Sequence, residues 1–426
     1  MSSMSLRICQ QAGKMAVGLL GLALGCAAAP QSLPSVTPET VGLSSSRLDR
    51  VAGYIEGEIA AGRKVGAVVL VARHGKVAYF KAFGEADRAN HRPMPTDAYF
   101  RLQSMTKPVT SVALLTLLEQ GRFLLDDPLS KYLPEFKEMQ VYRGSGPHGE
   151  ILTEPAARPI TIRDVMRHTA GFTYGYFGDT PVDHVYREAG LGYEAKLSLK
   201  DFVAKLATLP LLYHPGTRWH YGFAHDVQAR LVEVLSGMPF DVYCARTILE
   251  PLGMRDTVFG IPPERSARFA SIYHPLPDGS LQPGELPTEW DYAGFTGHPY
   301  GGAGLSSTPA DYLRFAQMLL NGGELSGVRI LGRKTVELMR HDALGPGIAP
   351  MSPGSGYGLG VGVTTDAAAT GAPGSDGTFY WGGYATTMVD MDPKEDLVTL
   401  AFTQVQPGDM EFRSRIHNLV YQAIAD

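Results

Sequence analysis

The stretch FRLQSMTKPVT, Phe100–Thr110, sets Ser104 three residues ahead of Lys107. On a helix that spacing brings two side chains to one face. A serine hydroxyl attacks poorly until a base takes its proton. A lysine packed away from water gives up its charge and can be that base. The plain alternative is a serine helix cap beside an exposed lysine, and S-x-x-K alone does not decide between them. Two further stretches bear on the choice. In GTRWHYGFAHDVQARLVEVLSG, Tyr221 stands just before an apolar-faced helix (Val227, Leu231, Val234, Leu235). A tyrosine there could pass protons to a leaving group, or be a buried ring with a satisfied hydroxyl. In GTFYWGGYATTMVDMDP, Gly382 and Gly383 follow Trp381 and precede Tyr384. Two glycines inside a strand waste packing unless a ligand or another backbone comes close. They imply either an edge strand open to substrate, with N–H groups for an oxyanion, or a bulge without chemistry.

The flanking pattern supplies the elements that must hold these residues. Val109, Val112, Ala113 and Leu117 predict a helix after Ser104 that stops at Gly121, with Pro108 tolerated in its first turn. The free N–H groups at that helix start favour a developing negative charge. Upstream, SSSRLDRVAGYIEGEIAAG places Leu48, Val51, Ala52, Ile55 and Ile59 on one helix face. VGAVVLVARHGKVAYFKAFGEAD reads as two strands around His74-Gly75. Near the C-terminus GYGLGVGV is one strand candidate, TFYWGGYATTMVDMDPKEDLVTLAFTQ reads as two strands around Pro393, and DMEFRSRIHNLVYQAIAD closes as an amphipathic helix. Residues 104–260 are rich in helical pattern, whereas 138–160, 174–196 and 262–298 read as cleft loops. The expected fold class is α/β of the α+β type: an antiparallel sheet flanked by helices, with a mainly helical region inserted. The expected division is a signal peptide over 1–29, a linker over 30–42, a sheet domain from 43–103 with 300–426, and a helical domain over 104–299.

Bulk properties exclude several classes. With Lys+Arg 38 against Asp+Glu 43 and a net charge of -5, nucleic acid is not an expected partner. Arg7 and Lys14 ahead of MAVGLLGLALGCAAA read as an export signal, too short to span a bilayer. Cleavage falls either before Cys26, leaving a lipid anchor, or within the alanines that follow it; the alternative is an apolar helix retained in a cytoplasmic protein. The expected location is exported: periplasmic, secreted or lipid-anchored. Cys9, Cys26 and Cys244 are too few for a disulfide framework. His214, His220, His225 and Asp226 cluster at spacings that fit no standard zinc motif, so no metal is expected. His168 is read as positioning the loop after its helix. The G-x-S-x-G elbow of α/β-hydrolases is absent.

Taken in order, Ser104-Met-Thr-Lys107, Tyr221 and Trp381-Gly-Gly383 resemble the class C β-lactamase-like serine hydrolases, and among them family VIII carboxylesterases. LLDDPLSKYLPEF, TIRDVMRHTAGFTYG, GGAGLSSTPADYLRFAQMLLNGG and MDPKEDLVTLAFTQ share the likeness, which spans roughly 37–424. The resemblance implies a β-lactamase/penicillin-binding-protein-like fold and Ser104 as acylated nucleophile, with Lys107 and Tyr221 sharing base and acid roles. It implies an oxyanion hole from the backbone N–H groups of Ser104 and Tyr384, and needs no cofactor. Where β-lactamases carry Asn after the tyrosine this chain has Phe223, and Trp381-Gly382-Gly383 replaces Lys-Thr-Gly. Both changes make the substrate-binding surface more apolar and favour neutral, short- to medium-chain carboxylic esters. Tyr174, Tyr176 and Phe177 are candidates for the pocket wall. A β-lactamase, D-amino peptidase or acyltransferase on the same scaffold, or a penicillin-binding sensor without turnover, are the competing readings.

Overall fold

A computed structural model describes residues 33–192, 197–260, 263–284, 299–349 and 351–426. The export signal and Cys26 lie outside the described residues. Helix α1 (Ser45–Ala60) begins at Ser44, whose side chain accepts from the Arg47 N–H. The chain then forms β1 (Gly66–Arg73) and β2 (Lys76–Asp87), joined through His74 and Gly75, both at positive φ (54° and 68°), the geometry of a two-residue hairpin turn. A two-residue strand, β3 (Arg92–Pro93), follows. The C-terminal third adds β4 (Ser355–Tyr357), β5 (Gly362–Thr364), β6 (Phe379–Gly383), β7 (Thr387–Asp392) and β8 (Leu397–Phe402). All pair antiparallel in one eight-stranded sheet, ordered β4-β5-β6-β7-β8-β1-β2-β3.

Strand β1 is buried along its whole length, so both sheet faces must be covered. On one face Ala67, Val69 and Val71 pack with Leu48, Val51 and Ile55 of α1 and with Phe412, Ile416 and Val420 of the last helix. On the other, Val68, Leu70 and Ala72 join the main core with α2 (Thr106–Glu119). Every α2 residue from Thr106 to Leu117 is buried, so this helix is a core element with no solvent face. Helix α3 (Ala224–Ser236) packs across α2, and the closing helix is α4 (Met410–Tyr421), capped by Asp409. No helix among the described residues is long and apolar enough to cross a membrane.

Several loop expectations are corrected. Residues 138–160 contain a hairpin, Gln140–Ser145 with Ile151–Pro155. Residues 174–196 contain a helix, Pro181–Glu188, started by a capping box in which Thr180 and Asp183 exchange side-chain and backbone hydrogen bonds. Residues 262–298 contain paired strands at Tyr273–Pro275 and Leu281–Pro283, with 285–298 outside the described residues. GYGLGVGV is split between β4 and β5, and the Trp-Gly-Gly stretch yields three strands, because Thr386 at φ 61° turns the chain between β6 and β7.

Helix α4 also carries a polar stripe against the sheet. His417 lies between two acceptors, with Nδ1 2.8 Å from Asp390 Oδ2 and Nε2 2.6 Å from the Pro373 carbonyl. Neutral imidazole can donate from only one nitrogen, so this position favours imidazolium. Burial opposes that charge, but the Asp390 carboxylate, the Pro373 carbonyl and nearby Asp392 outweigh it and hold the His417 pKa above its ordinary value. A raised folded pKa stabilises fully below the unfolded value and stops doing so as pH rises through the folded one. Thermal scans should therefore show this contribution to the melting temperature being lost as pH rises from the ordinary histidine pKa through the raised one. His417→Gln should remove that segment of the pH dependence.

Candidate active site

Ser104 sits in a 3-10 turn, Gln103–Met105, that leads into α2. The turn is anchored from three directions. The Leu102 N–H donates to the Leu305 carbonyl, the Arg101 N–H to Gln404 Oε1, and Thr387 Oγ1 to the Leu102 carbonyl. Gln103 is held at φ 49° while 4% exposed, a conformation that a non-glycine residue adopts at a cost of about 1–3 kcal/mol. Buried His168 (φ 56°) and Thr386 (φ 61°), the latter in the β6–β7 turn, share it, whereas the other four non-glycine residues at positive φ lie in hairpin turns and none of them is buried. Buried backbone strain is thus concentrated around Ser104.

Lys107 Nζ donates to Ser104 Oγ at 3.0 Å and to the Gly302 carbonyl at 2.8 Å, and Tyr221 OH donates to Ser104 Oγ at 2.8 Å. Ser104 and Tyr221 keep part of their surface open, while Lys107 is 0% exposed. The nucleophile faces the cleft and its base is sealed behind it. Burial pulls the Lys107 pKa well below the ordinary lysine range, opposed by Asp226, whose own buried carboxyl is pushed up. Gly302 links them: its carbonyl accepts from Lys107 and its N–H donates to Asp226 Oδ1. His168 and His225 line the same interior with ring centroids 4.9 Å apart. Burial above all holds both well below the usual histidine pKa, reinforced by Lys107 at His168 and by His168 ahead of Lys107 at His225, so they stay neutral. A neutral Lys107 amine has a lone pair for the Ser104 proton. Tyr221, raised in pKa chiefly by burial, keeps its phenolic proton.

An aromatic shell fixes Tyr221. His168, Tyr174, Trp381 and Trp219 lie with centroids at 4.9, 5.2, 5.7 and 6.1 Å from its ring. Of the pocket candidates, Tyr174 is buried, while Tyr176 and Phe177 are about half exposed. Phe177 meets Tyr384 across the cleft at 5.9 Å. Phe223 does not reach the cleft. It is fully buried at the start of α3, its ring against Tyr174 at 4.6 Å and Phe202 at 5.1 Å, and supports the pocket wall from behind.

The two glycines of β6 are explained by close approaches from opposite faces. A Cβ on Gly383 would lie 2.1 Å from the Leu102 carbonyl oxygen, so only glycine lets the strand meet the nucleophile's turn. A Cβ on Gly382 would lie 2.5 Å from Arg413 Nη1, arriving from α4. The edge-strand expectation holds for part of β6: the strand is interior at Phe379–Tyr380, where β5 pairs with it, and β5 stops short of Trp381–Gly383. The N–H groups of Ser104 and Tyr384 donate to no partner among the described residues.

Sequence reading passed over Asp226, His225 and Arg413. Asp226 appeared only within a loose histidine cluster, which the fold disperses. His214 Nε2 meets Glu154 Oε1 at 3.1 Å, His220 packs edge-on against Tyr213, and His225 bonds Ser111. Among the described residues no three His, Cys, Asp or Glu side chains converge as metal ligands do. The available signal was a His-Asp pair in the first turn of a helix otherwise apolar on its inner face.

Comparison with known proteins places this geometry in a lineage. A family model described as Beta-lactamase matches residues 51–423. Esterase EstB of Burkholderia gladioli is 33% identical over 374 residues, covering 82% of this chain and 88% of its own. Protein Rv1367c of Mycobacterium tuberculosis is 35% identical over 367 residues, covering 82% and 87%. Among solved structures, EstCE1, described as a hydrolase with promiscuous acyltransferase activity, superposes with a TM-score of 0.77 at 29% identity, covering 88% of this chain and 99% of its own. By sequence over most of its length and by fold, this chain belongs to the Beta-lactamase family, in its class C-like, esterase-related branch.

Proposed function

We propose that this protein is an exported serine carboxylesterase that cleaves neutral, short- to medium-chain esters through an acyl-enzyme on Ser104. The observation that carries the reading is the convergence on one serine Oγ of a water-excluded lysine at 3.0 Å and a tyrosine hydroxyl at 2.8 Å. Neutral Lys107 accepts the Ser104 proton as Oγ attacks the ester carbonyl, and the oxyanion develops toward the Ser104 and Tyr384 N–H groups. Tyr221 gives its proton to the departing alcohol and is reprotonated from Lys107. A water then enters and attacks the acyl carbon, losing a proton to the same pair, which returns it to Ser104 Oγ as the acyl–Oγ bond breaks and the acid leaves. Trp381 in place of a lysine, and Phe223 behind Tyr174, support an ester substrate over one with a carboxylate or amide side chain.

The exposed rings of Tyr176, Phe177 and Tyr384 favour a second reading, in which an alcohol takes the place of water and the enzyme transfers its acyl group. EstCE1, with its described acyltransferase activity, lends support. Steady hydrolysis of p-nitrophenyl butyrate with no turnover of nitrocefin is the expected result, and added alcohol should divert some product to a new ester. Rapid nitrocefin turnover would contradict the esterase reading. So would a single stoichiometric burst with either reagent, the behaviour of a sensor.

A further inference from the structure

Arg413 is a half-buried cation that the mechanism above does not use. It projects from the first turn of α4 onto the back of β6, on the sheet face away from Ser104. Its Nη2 donates a short hydrogen bond to the Gly383 carbonyl, and Nη1 lies against Gly382 and donates to Met410 Sδ. No carboxylate lies within ion-pair distance of it among the described residues. The nearest acids are engaged elsewhere: Asp409 with Lys64 at 2.6 Å and Asp390 with His417 at 2.8 Å. Its Nε is buried without a partner. Withdrawing a guanidinium from water without a carboxylate partner is costly, and desolvation lowers its pKa to about 10, still charged at neutral pH.

We infer that Arg413 is the positioning residue of the oxyanion hole: from behind the strand it grips the Gly383 carbonyl and so aims the Tyr384 N–H at Ser104. The reason is covalent. The Gly383 C=O and the Tyr384 N–H are opposite edges of one planar trans peptide, so fixing the first toward α4 directs the second into the cleft. Donation to the carbonyl by a cation also polarises the amide and strengthens its N–H as a donor. Gly382 is glycine so that the guanidinium can come this close, and Gly383 is glycine so that the same peptide can lie against Leu102 beside the nucleophile. The turn Tyr384–Thr386 is closed by the Thr386 N–H donating to the same Gly383 carbonyl at 3.0 Å, which holds that oxygen from a second side.

The inference rests on Ser104 being the acylated nucleophile, so its test reads both. Wild type, Arg413→Ala and Arg413→Lys are labelled to completion with a fluorophosphonate, the adduct is located by peptide mass spectrometry, and kinetics are expressed per labelled site. Arg413→Ala should keep the adduct on Ser104 while kcat for p-nitrophenyl butyrate falls on the order of 10²-fold, the loss typical of one oxyanion donor. KM should change by less than about threefold, since the bond matters mainly in the transition state. Affinity for a boronic acid that mimics the tetrahedral oxyanion should drop with kcat/KM. Arg413→Lys should recover part of kcat, and guanidinium at non-denaturing concentration should rescue the alanine variant. Full kcat in Arg413→Ala with Ser104 labelled would overturn the role of Arg413 alone. So would a loss that neither lysine nor guanidinium restores and that leaves boronate affinity unchanged. An adduct on another residue of the wild type would overturn the nucleophile reading as well.

Discussion

Ser104→Ala is expected to lower kcat for p-nitrophenyl butyrate on the order of 10⁶-fold, the loss seen when a serine hydrolase loses its nucleophile. The size follows from the reaction being split in two by a covalent bond that no neighbour can form. Lys107 is sealed from the cleft, and Tyr221 keeps its proton because burial raises its pKa. Neither can replace the missing oxygen. The fold should be untouched: Ser104 Oγ accepts hydrogen bonds from Lys107 and Tyr221 but supports no helix or strand, and the turn around it is held by Leu305, Gln404 and Thr387. Unchanged melting with activity at the background rate is the predicted pair of results. Activity within tenfold of wild type would remove Ser104 from the reaction.

Lys107→Met should reduce kcat by roughly 10³–10⁴-fold, near the upper end of what a general base contributes. Methionine fills similar space without a nitrogen. Asp226 then loses its cationic neighbour, but burial already pushes its carboxyl toward the protonated form, so the variant should fold with a neutral acid in place. The wild-type pH profile tests the same group. Catalysis needs the amine neutral, and Lys107 is neutral only above its folded pKa, which burial has pulled down. The kcat/KM of the wild type should therefore fall along a single-proton limb as pH drops below neutrality. On the alkaline side the raised Tyr221 pKa leaves the phenol protonated, so activity should hold there. A profile flat through the acid range would show that Lys107 is not the base. Asp226→Asn should move that limb to lower pH, because the one acid opposing the loss of the lysine proton would be gone.

Elements whose hydrophobic period was long were legible in the sequence. The α1 face, the His74-Gly75 hairpin and the helix after Ser104 all follow from local pattern. Shorter elements were lost for a stated reason: Thr180-Pro-Val-Asp183 is a capping signal, but it opens a helix only eight residues long inside a Gly- and Tyr-rich stretch. Likewise β4 and β5 are three residues each, too short for alternation to register. The Gly-Gly pair was read as an open edge strand or a bulge, and the groups that approach it could not be read. Leu102 and Arg413 lie 281 and 31 residues away, brought together only by the sheet and by the docking of α4. Asp226 was visible as a residue and not as a partner, since its contact with Gly302 joins α3 to a turn far along the chain. Long-range backbone geometry is what the sequence withheld, and that geometry turns a serine and a lysine three residues apart into a reactive pair.

The most direct measurement is the site of acylation. The protein is mixed with an ester whose acyl group leaves slowly, quenched in acid during turnover, digested and read by peptide mass spectrometry. One acyl group, confined to the peptide containing Ser104 and absent from Ser104→Ala, is the predicted result. An acyl group on any other residue, or steady turnover by Ser104→Ala, would contradict it.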